Sequence, residues 1–179
     1  MAIHPISTEQ HYQRLHDLFW EYLSWANERN AEHLGIRLDI HALHAADMAD
    51  LGKYVPPQGL LLAALEDTVI AGCICLRTLN ESTGELKRLY VRPAHRKRGI
   101  GSALIAAAVE HARITGFRML RLDSARYMTA AQALYRRVGF SVIEPYPESE
   151  IPPEYHQFWV FMELPLDRHP GPSPHDANP

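Results

Sequence analysis

The chain has 179 residues, a length typical of one domain, and hydrophobic residues make up 46% of it. A chain of this size buries enough surface to fold without disulfides, and its cysteines, Cys73 and Cys75, lie too close together to link two elements. The formal net charge of −3 argues against a general nucleic-acid coat or an anionic-membrane binder. The sequence shows no apolar run long enough to span a bilayer and no secretory signal, so we expect a cytoplasmic protein with no nucleic-acid or membrane partner.

The chain begins with a predicted short strand and a helix. Ile3 and Ile6 fit the strand, and Ser7 with Gln10 resembles a capping box. Apolar residues then recur at helical spacing, which predicts the first helix. They are Leu15, Leu18, Phe19, Tyr22, Leu23 and Ala26.

A second helix is predicted over residues 39–51, with Gly52 as its end. The pattern then changes to that of an antiparallel hairpin. Its strands are predicted over residues 60–65 and 69–79, joined by a turn at 66–68.

A polar turn over residues 80–84 leads to a strand at 86–91, which Pro93 ends because proline cannot continue a hydrogen-bonded ladder. A helix with one apolar face is predicted over residues 101–115, and Gly116 fits its C-terminal cap.

The last predicted elements are a strand at 119–123, a helix at 129–138 and two strands, one beginning at 140–143 and one at 158–164. Residues 167–179 are proline-rich and lack large apolar side chains, so we expect a disordered tail.

The stretch LKRLYVRPAHRKRGIGS, residues 86–102, carries the most chemical information. The basic run Arg96, Lys97 and Arg98 precedes two glycines, Gly99 and Gly101, that open a helix. Glycines permit close backbone approach, and the first amide groups of a helix are unpaired and electropositive. The stretch therefore predicts a cradle for phosphate or pyrophosphate, the alternative being a solvated basic loop. Its glycine spacing fits neither the dinucleotide fingerprint nor the P-loop.

Two motifs resemble the Gcn5-related N-acetyltransferase (GNAT) superfamily. Arg96, Gly99 and Gly101 match its [RQ]-x-x-G-x-[GA] pattern, and residues 133–140, ALYRRVGF, match its A-L-Y-x-x-x-G-F segment. The resemblance covers about residues 3–164. It implies an α/β acyl-CoA N-acyltransferase fold, in which helices flank a central mixed, mostly antiparallel sheet of six to seven strands. A single N-acetyltransferase domain over residues 1–166 follows from it.

The resemblance also implies acetyl-CoA as the donor, with its pyrophosphate on the amide groups of residues 98–103. The pantetheine arm is expected to pair with the strand edge at Leu89 and Val91, and the oxyanion to be held by an N–H near Tyr90 or Val91. The full cofactor-binding set is Leu89, Tyr90, Val91, Arg96, Lys97, Arg98, Gly99, Ile100, Gly101, Ser102 and Ala103. One departure is Met128, which stands where many members carry an asparagine. Ser124 or Tyr127 is the expected substitute if that coenzyme contact is kept.

The resemblance makes Tyr135 the candidate general acid for the departing thiolate, since a phenol of pKa about 10 can protonate a thiolate of pKa about 8.5. The alternative is a core tyrosine. Glu85 is the candidate base, expected by strand alternation on the same side as Lys87, Leu89 and Val91. Its alternatives are an exposed strand-end carboxylate and, for the reaction, a water chain without a dedicated base.

The resemblance thus implies acetyl transfer to a primary amine. Direct attack in a ternary complex is expected rather than a covalent enzyme intermediate, because neither cysteine lies near the cradle. The rival is a non-catalytic acyl-CoA-binding sensor. The acceptor, a small molecule or a peptide, is expected to be selected by Tyr22, Trp25 and Arg29 and by the loops 24–40 and 144–157. No metal is expected, and dimerisation, common in the family, is left open.

Overall fold

A computed structural model describes residues 1–6, 9–67 and 69–166, with only the backbone of residues 9–13 included. The predicted capping box and the predicted disordered tail lie outside this description. The helices are α1 (Glu9–Leu34), α2 (Ile40–Ala49), α3 (Ile100–Ile114) and α4 (Thr129–Val138). The strands are β1 (Ala2–Pro5), β2 (Gly59–Glu66), β3 (Val69–Asn80), β4 (Thr83–Val91), β5 (Met119–Ala125), β6 (Ser141–Ile143) and β7 (Trp159–Pro165).

The strands form one sheet of seven in the order β1-β2-β3-β4-β5-β7-β6. Every neighbouring pair is antiparallel except β4 and β5, which run parallel. This confirms the predicted mixed, mostly antiparallel sheet. Helices cover both faces: α3 and α4 pack on one apolar cluster, while α1 packs on the other.

The strands β4 and β5 pair over only three residues each. Thr83, Gly84 and Glu85 face Met119, Leu120 and Arg121, and in the described coordinates no pairing continues beyond them. Residues 86–91 of β4 and 122–125 of β5 therefore border a wedge-shaped gap in the middle of the sheet. Its two sides are backbone edges without a neighbouring strand.

A β-bulge turns the side chains of β4 over within the gap. Cys75 faces Lys87 while Cys73 faces Tyr90, so two residues of β4 oppose one of β3. Arg88 holds the bulge with a φ of 56°. Lys87 thus lies on the α1 face with Cys75, whereas Leu89 and Val91 pack against the α3 cluster. The prediction that Leu89 and Val91 share a face with Glu85 is wrong for this reason.

Two predicted boundaries also differ. The strand β4 begins at Thr83 rather than at residue 86, because Gly84, expected in a turn, pairs with Thr78 of β3 on one side and Leu120 of β5 on the other. The helix α2 begins after Asp39, which caps the N–H of Ala42, and ends at Ala49 instead of at Leu51.

Candidate active site

The N-terminus of α3 lies at the end of the gap. Gly99 caps the helix with a φ of 81° and no side-chain hydrogen bond. The first backbone hydrogen bond of the helix runs from the N–H of Ala103 to the carbonyl of Gly99, at 3.0 Å. The N–H groups of Ile100, Gly101 and Ser102 precede that bond, and the start of the helix is electropositive. The predicted cradle residues therefore come together at one helix start.

The edge of β4 facing the gap ends at Val91. The N–H of Arg92 donates to Ala71 on β3 at 2.9 Å, so the polar groups of Val91 point to the opposite edge. There the Val91 carbonyl accepts from Nε of Arg96 at 2.9 Å. The N–H of Val91 therefore points into the gap, whereas the N–H of Tyr90 points towards β3.

Two of the three predicted cradle cations are bound to protein groups. The Arg96 guanidinium lies 5.2 Å from the Trp25 ring and 5.8 Å from the Tyr90 ring, in addition to its bond to Val91. Arg98 donates to Oε2 of Glu66 at 2.7 Å. That oxygen also bonds His95 at 2.6 Å, and this bond together with the charge of Arg98 lowers the pKa of Glu66.

Replacing Gly99 by valine is expected to weaken coenzyme A binding about 10- to 100-fold, because a branched side chain at the cradle blocks hydrogen bonds to a charged phosphate. The positive φ adds strain of about 1–2 kcal/mol to the folded state. Gly116→Val is the matched control: Gly116 ends the same helix with a φ of 90° and open space around it. Titration calorimetry with coenzyme A should show weakening in the first variant alone. Equal affinities would exclude Gly99 from the binding site.

Tyr135 lies on α4, 6% exposed, with its ring 5.6 Å from that of Phe140. No described residue hydrogen-bonds its hydroxyl. Burial, and to a smaller extent Tyr22 and Asp123, raise the pKa of Tyr135. The phenol therefore stays protonated at neutral pH, the state that a proton donor needs.

The two substitutes expected for the asparagine contact lie in different environments. The Tyr127 hydroxyl hydrogen-bonds Oδ1 of Asn30 at 2.9 Å and approaches the Ala26 carbonyl at 3.2 Å, both on α1. Ser124 is 5% exposed, and its hydroxyl has no hydrogen-bond partner in the described part of the chain. Tyr127 thus links α1 to the α4 side of the gap, whereas Ser124 keeps a free hydroxyl.

Glu85 is fully buried, so the alternative of an exposed strand-end carboxylate is wrong. One of its oxygens accepts from Nε of Arg77 and the other from the Tyr146 hydroxyl, each at 2.5 Å. Burial raises the pKa of Glu85, and Lys87 opposes that rise. Because the Glu85 side chain is fully buried, its carboxylate is not exposed at the gap.

Around Glu85 lies a charged cluster that the sequence reasoning missed. Nζ of Lys87 lies 2.9 Å from Asp123, 3.4 Å from Glu150 and 3.8 Å from Glu85. Burial by itself raises the pKa of Glu150, but Lys87 and Arg77 outweigh it and hold it at about 2. The only available signal was the alternation of charges in an otherwise apolar strand.

The α1 side of the gap carries aromatic residues. The rings of Tyr22 and Trp25 lie 5.7 Å and 6.0 Å from that of Tyr90. Arg29, the third residue expected near the acceptor, pairs with Glu32 at 2.7 Å. Tyr22 and Trp25 are only half-buried and pack on the α1-side cluster.

Within the described ranges, no three or more His, Cys, Asp or Glu side chains are placed to hold a metal ion. Cys73 and Cys75 are free and buried. The described residues also include no helix with the length and apolar character needed to cross a membrane.

Residues 12–140 match the family model for the acetyltransferase (GNAT) family. The chain belongs to the GNAT family. An uncharacterised N-acetyltransferase of Schizosaccharomyces pombe is 33% identical over 102 residues, 56% of this chain and 63% of that protein, so the match spans less than two thirds of the relative. The IAA acetyltransferase of Azospirillum brasilense is 30% identical over 72% of this chain and 82% of its own length.

A comparison with solved structures also finds the GNAT fold. The PaiA N-acetyltransferase of Thermoplasma acidophilum, solved in complex with coenzyme A, superposes with a TM-score of 0.69 at 22% identity. The match covers 93% of this chain and all of that one (100%). It shows a common GNAT fold.

Proposed function

We propose that this GNAT protein transfers the acetyl group of acetyl-CoA to a primary amine by direct attack in a ternary complex. The observation that carries the proposal is the gap between β4 and β5, which leads to the N-terminus of α3. An unpaired strand edge suits an amide-containing arm, and an electropositive helix start suits a pyrophosphate. The neighbour solved with coenzyme A supports the same ligand.

In the proposed complex the pyrophosphate binds the amide groups of residues 98–103, and the arm runs along the β4 edge at Leu89 and Val91. Lys97 supplies charge, since no described carboxylate pairs with it. Arg96 and Arg98 shape the loop through Val91 and Glu66. The cradle therefore relies on backbone amides more than on the three cations.

The reaction forms a C–N bond to the acetyl carbonyl carbon and breaks its C–S bond. The negative oxygen of the tetrahedral intermediate is held by the N–H of Val91, which points into the gap, rather than by that of Tyr90. The leaving thiolate takes the proton of Tyr135, whose hydroxyl has no hydrogen bond to any described residue. Tyr135 returns to its protonated form from solvent.

A primary amine is mostly an ammonium ion at neutral pH and must lose a proton before its lone pair can attack. Glu85 has both oxygens occupied by Arg77 and Tyr146, so its burial favours the water chain over direct abstraction by this carboxylate. Glu85 is then a positioning residue, whose hydrogen bonds with Arg77 and Tyr146 fix the structure at the closed end of the gap.

Direct attack is supported by the state of the cysteines. Both are buried, and burial raises the pKa of Cys73 to about 12 and that of Cys75 as well. A thiol held protonated is a poor nucleophile. We therefore propose no acetyl-cysteine intermediate, and the amine enters from the α1 side beside Tyr22 and Trp25.

The second candidate is a sensor that binds acyl-CoA without turnover, which the occupied carboxylate of Glu85 and the thioether of Met128 favour. A panel of amino acids, aromatic amines, polyamines and short peptides, each mixed with acetyl-CoA and protein, separates the two. Free thiol released above the amine-free background supports transfer. Binding of acetyl-CoA in calorimetry without release on the whole panel supports the sensor, and absence of binding contradicts both.

A further inference from the structure

Two consecutive side chains of β4 lie on the same face of the sheet. Lys87 lies on the α1 face, opposite Cys75. Arg88 follows it directly, yet its guanidinium lies 6.0 Å from the ring of Tyr22 on α1. Neighbouring residues of a regular strand point to opposite faces, so only the bulge allows this arrangement. Arg88 is therefore the residue at which the alternation of β4 changes.

Arg88 has a backbone conformation that its own side chain disfavours. Its φ of 56° lies in the left-handed region, where the Cβ of a residue other than glycine crowds the following carbonyl oxygen. Such a conformation persists only when the surrounding structure compensates for its cost in free energy. A contact of the Arg88 side chain is the natural place to look for that compensation.

The compensating contact comes from α2. Nε and Nη2 of Arg88 donate to the two carboxylate oxygens of Asp47, at 2.9 and 2.8 Å. The side chains are 15% and 4% exposed, and a bidentate charged pair of this kind fixes the direction of the guanidinium. Burial by itself lowers the pKa of Arg88, but the hydrogen bonds to Asp47 outweigh that effect and keep it charged. Asp47 thus holds the side chain of the residue that forms the bulge.

The bulge determines which edge of β4 the following N–H groups face. Because it inserts one extra residue, the N–H of Val91 points into the gap, whereas without the insertion it would point towards β3. Val91 follows Arg88 by only three residues. The conformation of Arg88 therefore decides whether β4 offers this N–H to the oxyanion.

We propose that the ion pair between Asp47 and Arg88 positions the N–H of Val91 that holds the oxyanion. The inference rests on the proposed function. By keeping Arg88 in the left-handed conformation, Asp47 fixes the bulge and thereby aims the N–H at the oxygen of the acetyl group. Asp47 and Arg88 are positioning residues, because they act through the backbone of β4. The helix α2 thus contributes to the rate of transfer through its contact with the bulge.

The test compares two double variants that both remove the ion pair. In Asp47→Asn/Arg88→Gly the glycine adopts a positive φ freely, whereas in Asp47→Asn/Arg88→Ala the methyl group disfavours it. The acceptor is the amine of the panel above that gives the fastest thiol release with the wild type. We expect the kcat of the alanine variant to be about 5- to 30-fold below that of the glycine variant, the change in population that this backbone preference produces. The Kd of coenzyme A should be equal in the two variants, since the cradle lies on α3.

Glu21→Gln is the control. It removes the carboxylate of a second bidentate pair, with Arg92 at 2.6 and 2.8 Å, which lies outside the bulge and whose arginine has an ordinary φ of −53°. This variant should keep the kcat of the wild type.

Equal kcat values in the two double variants, or loss of activity in both, would overturn the inference. Failure of both to fold, shown by urea unfolding, would assign the ion pair to stability alone and overturn it as well. A wild-type protein that binds acetyl-CoA but releases thiol with no amine of the panel would instead contradict the proposed function, and the inference with it.

Discussion

Tyr135→Phe should lower kcat by about 10²- to 10⁴-fold with an amine that the wild-type protein acetylates, the range expected for a lost general acid. The variant keeps the ring and its contact with Phe140. Because no described residue bonds the hydroxyl, the free energy of unfolding should change by less than about 0.5 kcal/mol. The Kd of acetyl-CoA should change little, since the proton is needed only in the transition state.

Three measurements on the same preparation decide the role of Tyr135: kcat from thiol release, Kd from calorimetry and the urea midpoint. Tyr54→Phe removes a buried hydroxyl on the opposite face that no described residue bonds, and it should leave kcat unchanged. A near-normal kcat in Tyr135→Phe would reduce the residue to packing. Rate and affinity lost in parallel would place the hydroxyl in coenzyme binding.

Local patterns along the chain predicted most of the fold. The apolar stripe of α1, the hairpin of β2 and β3, and the helix between Thr129 and Gly139 depend on neighbours within a few residues. Such local patterns predict the elements correctly because each element buries the side on which its apolar residues recur. The glycine-opened start of α3 was predictable for the same reason, because Gly99, Gly101 and the first turn of the helix are contiguous in the sequence.

The geometry of β4 was not predictable in the same way. A bulge at Arg88 depends on pairing with β3, and it reverses the faces of Leu89 and Val91 without any mark in the local alternation. The bidentate bond of Arg88 to Asp47 on α2, at 2.8 and 2.9 Å, joins residues 41 positions apart. A sequence pattern does not report such pairings.

A sequence pattern also does not report which charged side chains pair with one another. Glu150 lies in the loop 144–157, which the sequence analysis expected to help select the acceptor. In the structure Glu150 bonds Arg77 at 2.6 Å and lies near Lys87, so the protein's own cations neutralise it. The burial of Glu85 likewise depends on Tyr146, which donates a hydrogen bond to it and lies 61 positions away in the sequence.

Lys87→Met should destabilise the protein by about 3–5 kcal/mol at pH 7, the range for removing one partner from a buried ion pair. The Lys87 side chain is 5% exposed, and Asp123 and Glu85 beside it are 8% and 0% exposed. Methionine preserves much of the apolar volume, so the loss reports the carboxylates left without their cation. Urea unfolding at pH 7 measures it. Lys53→Met, which removes a 21%-exposed lysine 3.7 Å from Glu150, should cost less than about 1 kcal/mol.

The deficit of Lys87→Met should also depend on pH, and its sign follows from Glu150. Lys87 and Arg77 hold the pKa of Glu150 at about 2, below its ordinary 4.5. The stability that this carboxylate contributes is therefore present above pH 4.5 and is lost as the pH falls towards 2. The difference between wild type and variant should be largest between pH 6 and 8, where Lys87 is fully charged because its own pKa is raised, and should shrink in acid. A variant as stable as the wild type at pH 7, or a deficit that grows in acid, would contradict the assignment of Lys87 as the cation that stabilises this buried cluster.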